Sequence, residues 1–419
     1  MASLVDGTRQ NAARGQDSRA AGRHPLATSG IEAPAQRPRR EHLVQIDVLR
    51  IVAIVAVVAT HITIFTQSSA SVGAQGLTVL LHVSRFAFFF ITAFVLYLTY
   101  GGRPMRVLPF WRKRFPPVLL PYLVWTLIYW QYNRFFPWGG YPDTLSASLW
   151  QLGTNLLNGW FQLYFLIVTF QLYIVFPLIA WIVRKTEGRH LLLLAVTGGI
   201  ELLWLYAMQY QWPRLPGALQ AVFGHAQAEI WSYQFFFFVG AVAAAHKDRL
   251  IDLLRRHRRS LAAAVPALLA IAFGLYALNL ALGQSPSQAA GVFQPAIVPV
   301  FFGSLLGLGL LAQRLADTKA PTSLVWRLFV WAGEISFGIY LSHMLALQLL
   351  VLPQVQALGL DLLPAPVDGV VTWALTVLFT VLLVTVLRHL PFANALTGRP
   401  RRPFSTLRRA PAPAPSGAD

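Results

Sequence analysis

Long apolar runs separated by short polar segments dominate the hydrophobic pattern of this chain. Each run is near the roughly 20 residues that an α-helix needs to cross the hydrocarbon core of a bilayer. All of them are predicted to be helices, because a backbone in lipid must satisfy its own hydrogen bonds. The pattern therefore predicts an all-α integral membrane protein with about ten transmembrane helices, over residues 46–66, 77–99, 116–135, 160–183, 190–210, 229–246, 261–282, 292–312, 325–351 and 368–388.

The two ends of the sequence do not follow this pattern. Residues 1–42 and 391–419 are rich in Ala, Arg, Pro and Gly and show no apolar period. Such segments bury too little apolar surface to fold, so both are predicted to be disordered basic tails around a transmembrane domain over 43–390. The first apolar run is long enough to remain as a span, so a cleaved signal peptide is not expected.

Composition and loop charge refine this prediction. The chain is 56% hydrophobic and 12% charged, which is about half the charged fraction of a soluble domain. Its net charge of +18 comes from the tails and from alternate loops, such as "GGRPMRVLPFWRKR" and "HKDRLIDLLRRHRR". Basic loops remain in the cytoplasm, so both termini are predicted to be cytoplasmic, in a multi-pass protein of a bacterial inner or plasma membrane. No stacking platform accompanies the charge, so nucleic acid is not an expected partner, whereas membrane lipids are.

Two ionisable side chains share one face of the first predicted span, "RIVAIVAVVATHITIF". Arg50 and His61 are eleven residues apart, which returns a helix to nearly the same azimuth about 16 Å further along. Asp47 can pair with Arg50 across one turn. Arg50 can snorkel to lipid phosphates while His61 bonds a neighbouring helix. Alternatively, both line a functional pathway, where a neutral histidine is a suitable general base.

Two other groups of polar residues also have two interpretations. Arg112 and Arg114 precede the third span, where they either reflect topology alone or clamp a phosphate-bearing ligand. Ser336, Tyr340 and His343 share a face of the ninth span by their spacing. They either hold helices together or bring a second histidine to the cavity of the first.

Arg85, Glu201 and Glu334 also fall at predicted membrane depth, and the sequence leaves open whether they are functional or structural. The chain has no cysteine. Neither His61 nor His343 has a metal-binding spacing around it, so no metal site is expected.

Four stretches, in order along residues 43–390, resemble the membrane acyltransferase-3 family. "IDVLRIVAIVAVVATH" resembles the family's first helix, in which a basic residue, ten others and a histidine follow one another. Arg50 and His61 match those two positions. The other three stretches resemble the family's basic loop with its Pro-Tyr helix, its Trp-Phe-x-x-Tyr helix and its late histidine helix: "FWRKRFPPVLLPYLVW", "WFQLYFLIVTFQLYIVFPLI" and "ISFGIYLSHMLAL".

Two positions depart from the family's pattern. Pro117 stands where the family often has a second arginine, three residues after the position of Arg114. Residues Thr92 to Phe94 read Thr-Ala-Phe, where the family commonly has Ser-Gly-Phe. No extracytoplasmic esterase-like domain is expected after the last span, unlike in the fused subset of the family, and a second step is expected to require a separate protein.

The resemblance implies an integral-membrane O-acyltransferase without a permanently bound cofactor. It would move an acyl group, most simply acetyl, from cytoplasmic acyl-CoA to a hydroxyl of a carbohydrate or lipid-linked glycan. His61 would be the general base, and His343 would orient substrate or stabilise an oxyanion. Arg50 and Arg114 would hold the donor's phosphates. The remaining candidates for substrate binding are Asp47, Arg85, Arg112, Ser336 and Tyr340.

A proton-coupled transporter or exporter of a glycan intermediate is the competing interpretation, because buried His, Arg and Glu also suit a carrier. The sequence shows neither an internal repeat nor paired half-helices broken by Gly or Pro, which many carriers have.

Overall fold

A computed structural model describes residues 44–135, 144–318 and 323–403, and these residues form helices and connecting turns without a strand. The first nine helices are α1 (Val44–Thr66), α2 (Val72–Leu81), α3 (Val83–Tyr100), α4 (Val107–Arg114), α5 (Pro116–Phe135), α6 (Leu145–Asn158), α7 (Tyr164–Lys185), α8 (His190–Tyr206) and α9 (Gly217–Phe223). The others are α10 (Gln234–Ala245), α11 (Lys247–Arg256), α12 (Arg258–Ala281), α13 (Pro286–Ala289), α14 (Ile297–Thr318), α15 (Leu324–Leu345), α16 (Leu352–Ala357), α17 (Val367–Leu387) and α18 (Ala393–Thr397).

Eight helical segments in the described part of the chain are long and apolar enough to cross a membrane, so the protein is a multi-pass membrane protein. They are Gln45–Thr66, Val72–Tyr100, Leu145–Lys185, His190–Arg214, Arg258–Ala281, Ile297–Thr318, Leu324–Ala357 and Val367–Leu387. The predicted third and sixth spans are helical but are not among the eight. Helix α5 carries several tyrosines, tryptophans and amides, and the segment Ile230–Ala245 is short.

The structure divides or adds elements where the apolar pattern predicts simple spans. The predicted span 77–99 is two helices, α2 and α3, which meet at His82. Helix α6 was not predicted, because its serines, threonine, glutamine and asparagines interrupt the apolar period. Its N-terminus is capped by Thr144, whose hydroxyl accepts a hydrogen bond from the Ala147 N–H.

The predicted boundary of the C-terminal tail at residue 391 is too early. Helix α18 lies beyond it, with Ala393 and Thr397 buried. The Trp125 indole N–H donates to the Leu396 carbonyl oxygen at 2.9 Å, which ties α18 to α5. A few such anchors order a segment whose overall composition is typical of disorder. The other residues of the predicted tails, 1–42 and 404–419, lie outside the described residues.

An aromatic core joins α3, α7 and α10. The ring centroids of Phe89 of α3 and Phe165 of α7 are 4.4 Å apart, and those of Phe86 of α3 and Phe236 of α10 are 4.5 Å apart. The backbones of α3 and α10 approach closely at Gly240, where a Cβ would lie 2.3 Å from the Phe90 carbonyl oxygen. A small residue at such a crossing lets two membrane helices pack through their backbones.

Helix α1 lies at the centre of the site described below and contacts α2, α3, α14, α15 and α17. Its first residues join one end of the bundle, here called the Arg50 end. There Gln45 donates to the Gln313 side-chain oxygen at 3.2 Å, and Asp47 lies against Gly333 of α15. Helix α17 finishes at the same end, where Arg388 meets Glu334 of α15. The bundle therefore presents the start of α1 and the end of α17 together.

Replacing Gly240 with alanine should destabilise the protein. Its new methyl group would overlap the Phe90 carbonyl, and overpacking of this kind costs about 1–3 kcal/mol. The measurement is the thermal unfolding midpoint of the purified protein in detergent. Gly199→Ala is the matched control, because a Cβ at Gly199 meets no atom within 4 Å. Equal midpoints for both variants would contradict the close approach of α3 and α10.

Candidate active site

The structure brings His61 of α1 and His343 of α15 together. Their ring centroids are 5.2 Å apart, with an interplanar angle of 29°. His343 is fully buried, and His61 is partly buried. The two histidines singled out by the sequence, about 280 residues apart in the chain, are therefore neighbours inside the bundle.

The hydrogen bonds of His343 determine which of its nitrogens carries the proton. Its Nδ1 lies 2.8 Å from the Tyr340 carbonyl oxygen and 3.1 Å from that of Ile339. Because carbonyl oxygens only accept, Nδ1 must be the donor, and the neutral ring then has a lone pair at Nε2. That Nε2 is buried and has no hydrogen-bond partner among the described residues. The site thus holds an imidazole nitrogen able to accept a proton or a hydrogen bond.

His61 faces a small cavity. The polar residues that line this cavity are Thr60, His61, His82, Ser84, Arg85, Gln162, Tyr164 and Tyr340. The cavity volume is about 40 Å³, which exceeds the roughly 10–15 Å³ that one water requires. The Nδ1 of His61 is buried there without a hydrogen-bond partner. The cavity accommodates water, and it must widen before it can hold a larger substrate.

Arg85 of α3 supplies a cation to the same cavity. Its guanidinium lies 5.5 Å from the centre of the Tyr164 ring, within the range of a cation–π interaction. Its Nη1 is buried and has no hydrogen-bond partner among the described residues. A buried, unpaired donor beside a histidine is suited to an oxygen on which negative charge develops.

The turn from Gly159 to Leu163 adds two residues that sequence reasoning did not select. Phe161 has φ +44°, a strained value for a residue with a side chain, and its ring centroid lies 4.9 Å from that of His61. The side chain of Gln162 lines the cavity, and both its amide atoms are buried without partners. The turn is tight enough to need a glycine, since a Cβ at Gly159 would lie 2.3 Å from the Tyr164 nitrogen. Its only signal in the sequence is the "GWFQLY" run.

His82 is a further cavity residue that the sequence did not indicate. It stands between α2 and α3, and its Nδ1 is buried without a partner. The position of His82 in the cavity could not be predicted from residue spacing, because it depends on the break between α2 and α3.

Tyr340 and Ser336 differ in their relation to the site. Tyr340 lines the cavity, and its hydroxyl donates to the Gln162 carbonyl oxygen, which fixes the turn beside His61. The buried Ser336 hydroxyl donates to the Gly333 carbonyl oxygen at 2.9 Å. It lies outside the cavity, on the stretch of α15 that leads to the Arg50 end.

The other predicted cations lie near the Arg50 end. Arg50 pairs with Asp47 at 3.3 Å and is 29% exposed. The guanidinium of Arg114 lies 5.0 Å from the centre of the Tyr100 ring, while Arg112 is exposed. Arg50 is separated from His61 by the rise of three helical turns, or about 16 Å. The structure therefore separates a basic mouth from the histidine cavity.

The two carboxylates noted in the sequence have partners in the structure. Glu201 of α8 is fully buried and accepts hydrogen bonds from the Phe235 N–H and the Gln234 amide, so it caps the start of α10. Glu334 pairs with Arg388 and Arg402. Within residues 44–135, 144–318 and 323–403, no three His, Asp or Glu side chains come close enough to hold a metal ion.

Comparison with known families adds one finding. The model of the acyltransferase-3 family, described as an acyltransferase domain, matches residues 43–389. No curated protein and no solved structure matches the chain.

The hydrogen bonds of His343 predict its ¹⁵N NMR signature. With ¹⁵N-labelled histidine, one ring should show a protonated Nδ1 and an unprotonated Nε2, and this signal should disappear in His343→Gln. The backbone carbonyls hold the proton on Nδ1. A signal assigned to His343 with the proton on Nε2 would contradict the geometry.

Proposed function

Since the chain belongs to the acyltransferase-3 family, we propose that it is an integral-membrane O-acyltransferase. It takes an acyl group, most simply acetyl, from cytoplasmic acyl-CoA and transfers it to a hydroxyl of a carbohydrate or lipid-linked glycan. One observation carries this proposal: inside an apolar bundle, His61 lines a cavity together with the unpaired Nη1 of Arg85, and its ring lies against that of His343, whose Nε2 is also unpaired. Unpaired polar atoms are costly in such an interior, and their convergence indicates a reaction site.

His61 is the general base of the proposed reaction. Its ring takes the proton of the acceptor hydroxyl while that oxygen attacks the thioester carbonyl carbon. The carbonyl electrons move to the carbonyl oxygen, and the resulting oxyanion is stabilised by the Nη1 of Arg85. The intermediate then collapses with cleavage of the C–S bond, and the coenzyme thiolate takes the proton from His61. The products are an ester and free coenzyme A.

His343 orients the base in this proposal. Its own proton is fixed on Nδ1 by two backbone carbonyls, and its ring lies against that of His61, with the centroids 5.2 Å apart. Because His343 is fully buried, its ring limits the orientations that the His61 ring can adopt. We therefore assign His343 the role of orienting the base, and its unpaired Nε2 is available to accept a hydrogen bond from substrate.

The donor enters from the Arg50 end in this proposal. Arg50 and Arg114, with Arg112 at the surface, attract the phosphates of acyl-CoA, because guanidinium groups bind phosphates in paired hydrogen bonds. The roughly 16 Å from Arg50 to His61 suits an extended pantetheine arm. Because the cavity now holds only about 40 Å³, donor binding must part α1 from α7 or α15 near His61. The acceptor reaches the cavity from the opposite end.

The proposal includes an orientation in the membrane. Helix α5 and the segment Ile230–Ala245 complete ten spans with the eight apolar segments, and both termini are cytoplasmic. The membrane is then the cell membrane of a bacterium. This assignment is supported by the basic loops that alternate along the sequence.

A reporter fused to the C-terminus tests this orientation. A C-terminal reporter that functions only in the cytoplasm should give a signal, because the Arg50 end carries the basic loops. A C-terminal reporter that functions only outside the cell should give none. A reporter at the junction of α9 and α10 should behave in the opposite way. A C-terminal reporter active only outside would overturn the ten-span arrangement.

His61→Gln tests the chemistry. Glutamine keeps similar bulk and some hydrogen bonding but cannot act as a base, so product formation should fall about 10²- to 10⁴-fold. That fall corresponds to about 3–5 kcal/mol of transition-state stabilisation. Acyl-CoA affinity should be retained, since the phosphates bind at the other end of α1. Turnover and affinity are measured on the same monodisperse preparation.

His225→Gln is the matched control, because His225 is exposed and lies far along the chain from both histidine helices. Its turnover should equal that of the unaltered protein. Near-normal turnover in His61→Gln would remove His61 from the mechanism. If the unaltered protein consumed no acyl-CoA, the proton-coupled carrier of a glycan intermediate would become the leading function.

A further inference from the structure

The segment after the last span folds back onto the Arg50 end. Residues 391–403, here called the C-terminal strap, include α18. The strap is held by the Trp125–Leu396 hydrogen bond and by Gly398, which has φ +65° and lies against Phe337 and the Pro117 carbonyl. A Cβ at Gly398 would lie 2.4 Å from the Phe337 ring, so only glycine fits this contact. The strap therefore has a defined path between α5 and α15.

This path delivers arginines to one carboxylate of α15. Glu334 pairs with Arg402 of the strap at 3.2 Å and with Arg388, at the end of α17, at 3.6 Å. The backbone is closed at the same point, because the Arg402 N–H donates to the Arg388 carbonyl oxygen at 2.8 Å. Both guanidinium groups are thus fixed beside Glu334.

The ion pair of α1 adjoins this group. Asp47, which pairs with Arg50, lies against Gly333, the residue next to Glu334. Arg399 of the strap lies close enough to Arg50 and to Arg388 for their like charges to repel. This charged group contains the guanidinium groups of Arg50, Arg388, Arg399 and Arg402 and the carboxylates of Asp47 and Glu334. These six side chains carry two positive charges in excess.

This charged group leaves one hydrogen-bond donor of Arg388 without a partner. Its side chain is only 10% exposed, and its Nε is buried without a hydrogen-bond partner. Burial lowers the pKa of the Arg388 guanidinium from its ordinary value, and the charge of Arg402 acts in the same direction, while Glu334 opposes both. A buried donor and an excess of like charge are both relieved by an anion with several charges and several oxygens.

We propose that Arg399 and Arg402 of the strap, together with Arg50, form a phosphate-binding site for the nucleotide part of the donor coenzyme. The site deepens the proposed function and rests on it. Its opening is towards solvent, since Arg399 and Arg402 are exposed, while Arg50 and Arg388 lie deeper. Phosphates bound there would leave the acyl end of the donor pointing along the face of α1 that leads to His61.

Phosphate oxygens occur both on soluble nucleotides and on lipid headgroups, and the arginines of the strap have the chemistry to bind either. The proposal commits to the nucleotide, because three phosphate groups match a site with more than one excess charge. Two titrations separate the sources. Coenzyme A and adenosine 3′,5′-bisphosphate are titrated by calorimetry against protein in a neutral detergent, and anionic phospholipid is titrated in a parallel experiment.

The deciding variants are Arg399→Gln and Arg402→Gln. Each should weaken the binding of coenzyme A and of the bisphosphate by about 10- to 150-fold, which is the range for loss of one charge-assisted contact. Arg399→Lys keeps the charge without the paired donors and should recover part of this loss. Glu334→Gln should tighten binding, because it removes a carboxylate that competes for the same arginines. Arg256→Gln is the matched control, since Arg256 is exposed and pairs with Asp252 on α11.

The outcomes separate the two proposals. If the unaltered protein binds coenzyme A and both arginine variants bind it equally well, the strap site is wrong and the proposed function is unaffected. The same holds if Glu334→Gln weakens binding as much as the arginine variants do, or if only anionic phospholipid responds to them. If the unaltered protein neither binds coenzyme A nor consumes acyl-CoA, the proposed function itself fails. Size-exclusion profiles and unfolding midpoints show that each variant is folded.

Discussion

The absence of water in a bilayer interior is the constraint on which this structure depends. Backbone groups there must pair within the protein, which explains the all-helical architecture. The same constraint applies to side chains, and many of the buried ones obey it: the hydroxyls of Ser336 and Ser342 bond carbonyl oxygens of their own helix. Among the described residues, buried atoms without a partner occur at several places, Arg388 included, and His61, Arg85, Gln162 and His343 form one group of them. Because each such atom is costly, a group of them beside one small cavity is a physical sign of function.

Much of the helical scaffold follows from the sequence, since a stretch of about 20 apolar residues has few other stable conformations. The spacing of Arg50 and His61 also predicted their shared face, because azimuth depends only on helix geometry. The juxtaposition of His61 with His343 was harder to predict, since it depends on which helices pack together. The polar face of the ninth predicted span left it as one of two interpretations, and the structure supplied the 5.2 Å separation.

Features that depend on helix breaks, tight turns and long-range contacts were not predicted from the sequence. His82 reaches the cavity because α2 ends there, and Gln162 does so because Gly159 and Phe161 adopt positive φ values. Neither effect leaves a periodic signal. The C-terminal strap escaped for a related reason: its composition is that of a disordered tail, but Gly398 and the bond from Trp125 give it one path. Local composition predicts such segments poorly when a few long-range contacts decide their structure.

The distance in sequence between His61 and His343 has a consequence for biosynthesis. About 280 residues separate them, so at 5–20 residues per second α1 waits roughly 15 s to 1 min before α15 is made. During this interval α1 must remain in the insertion machinery or in lipid with Asp47, Arg50 and His61 unaccompanied by α15. The pairing of Asp47 with Arg50 inside α1 cancels their charges from the moment the first turn forms. A helix that carries its own counter-ion can enter the membrane early and hold its histidine ready for a partner that arrives much later.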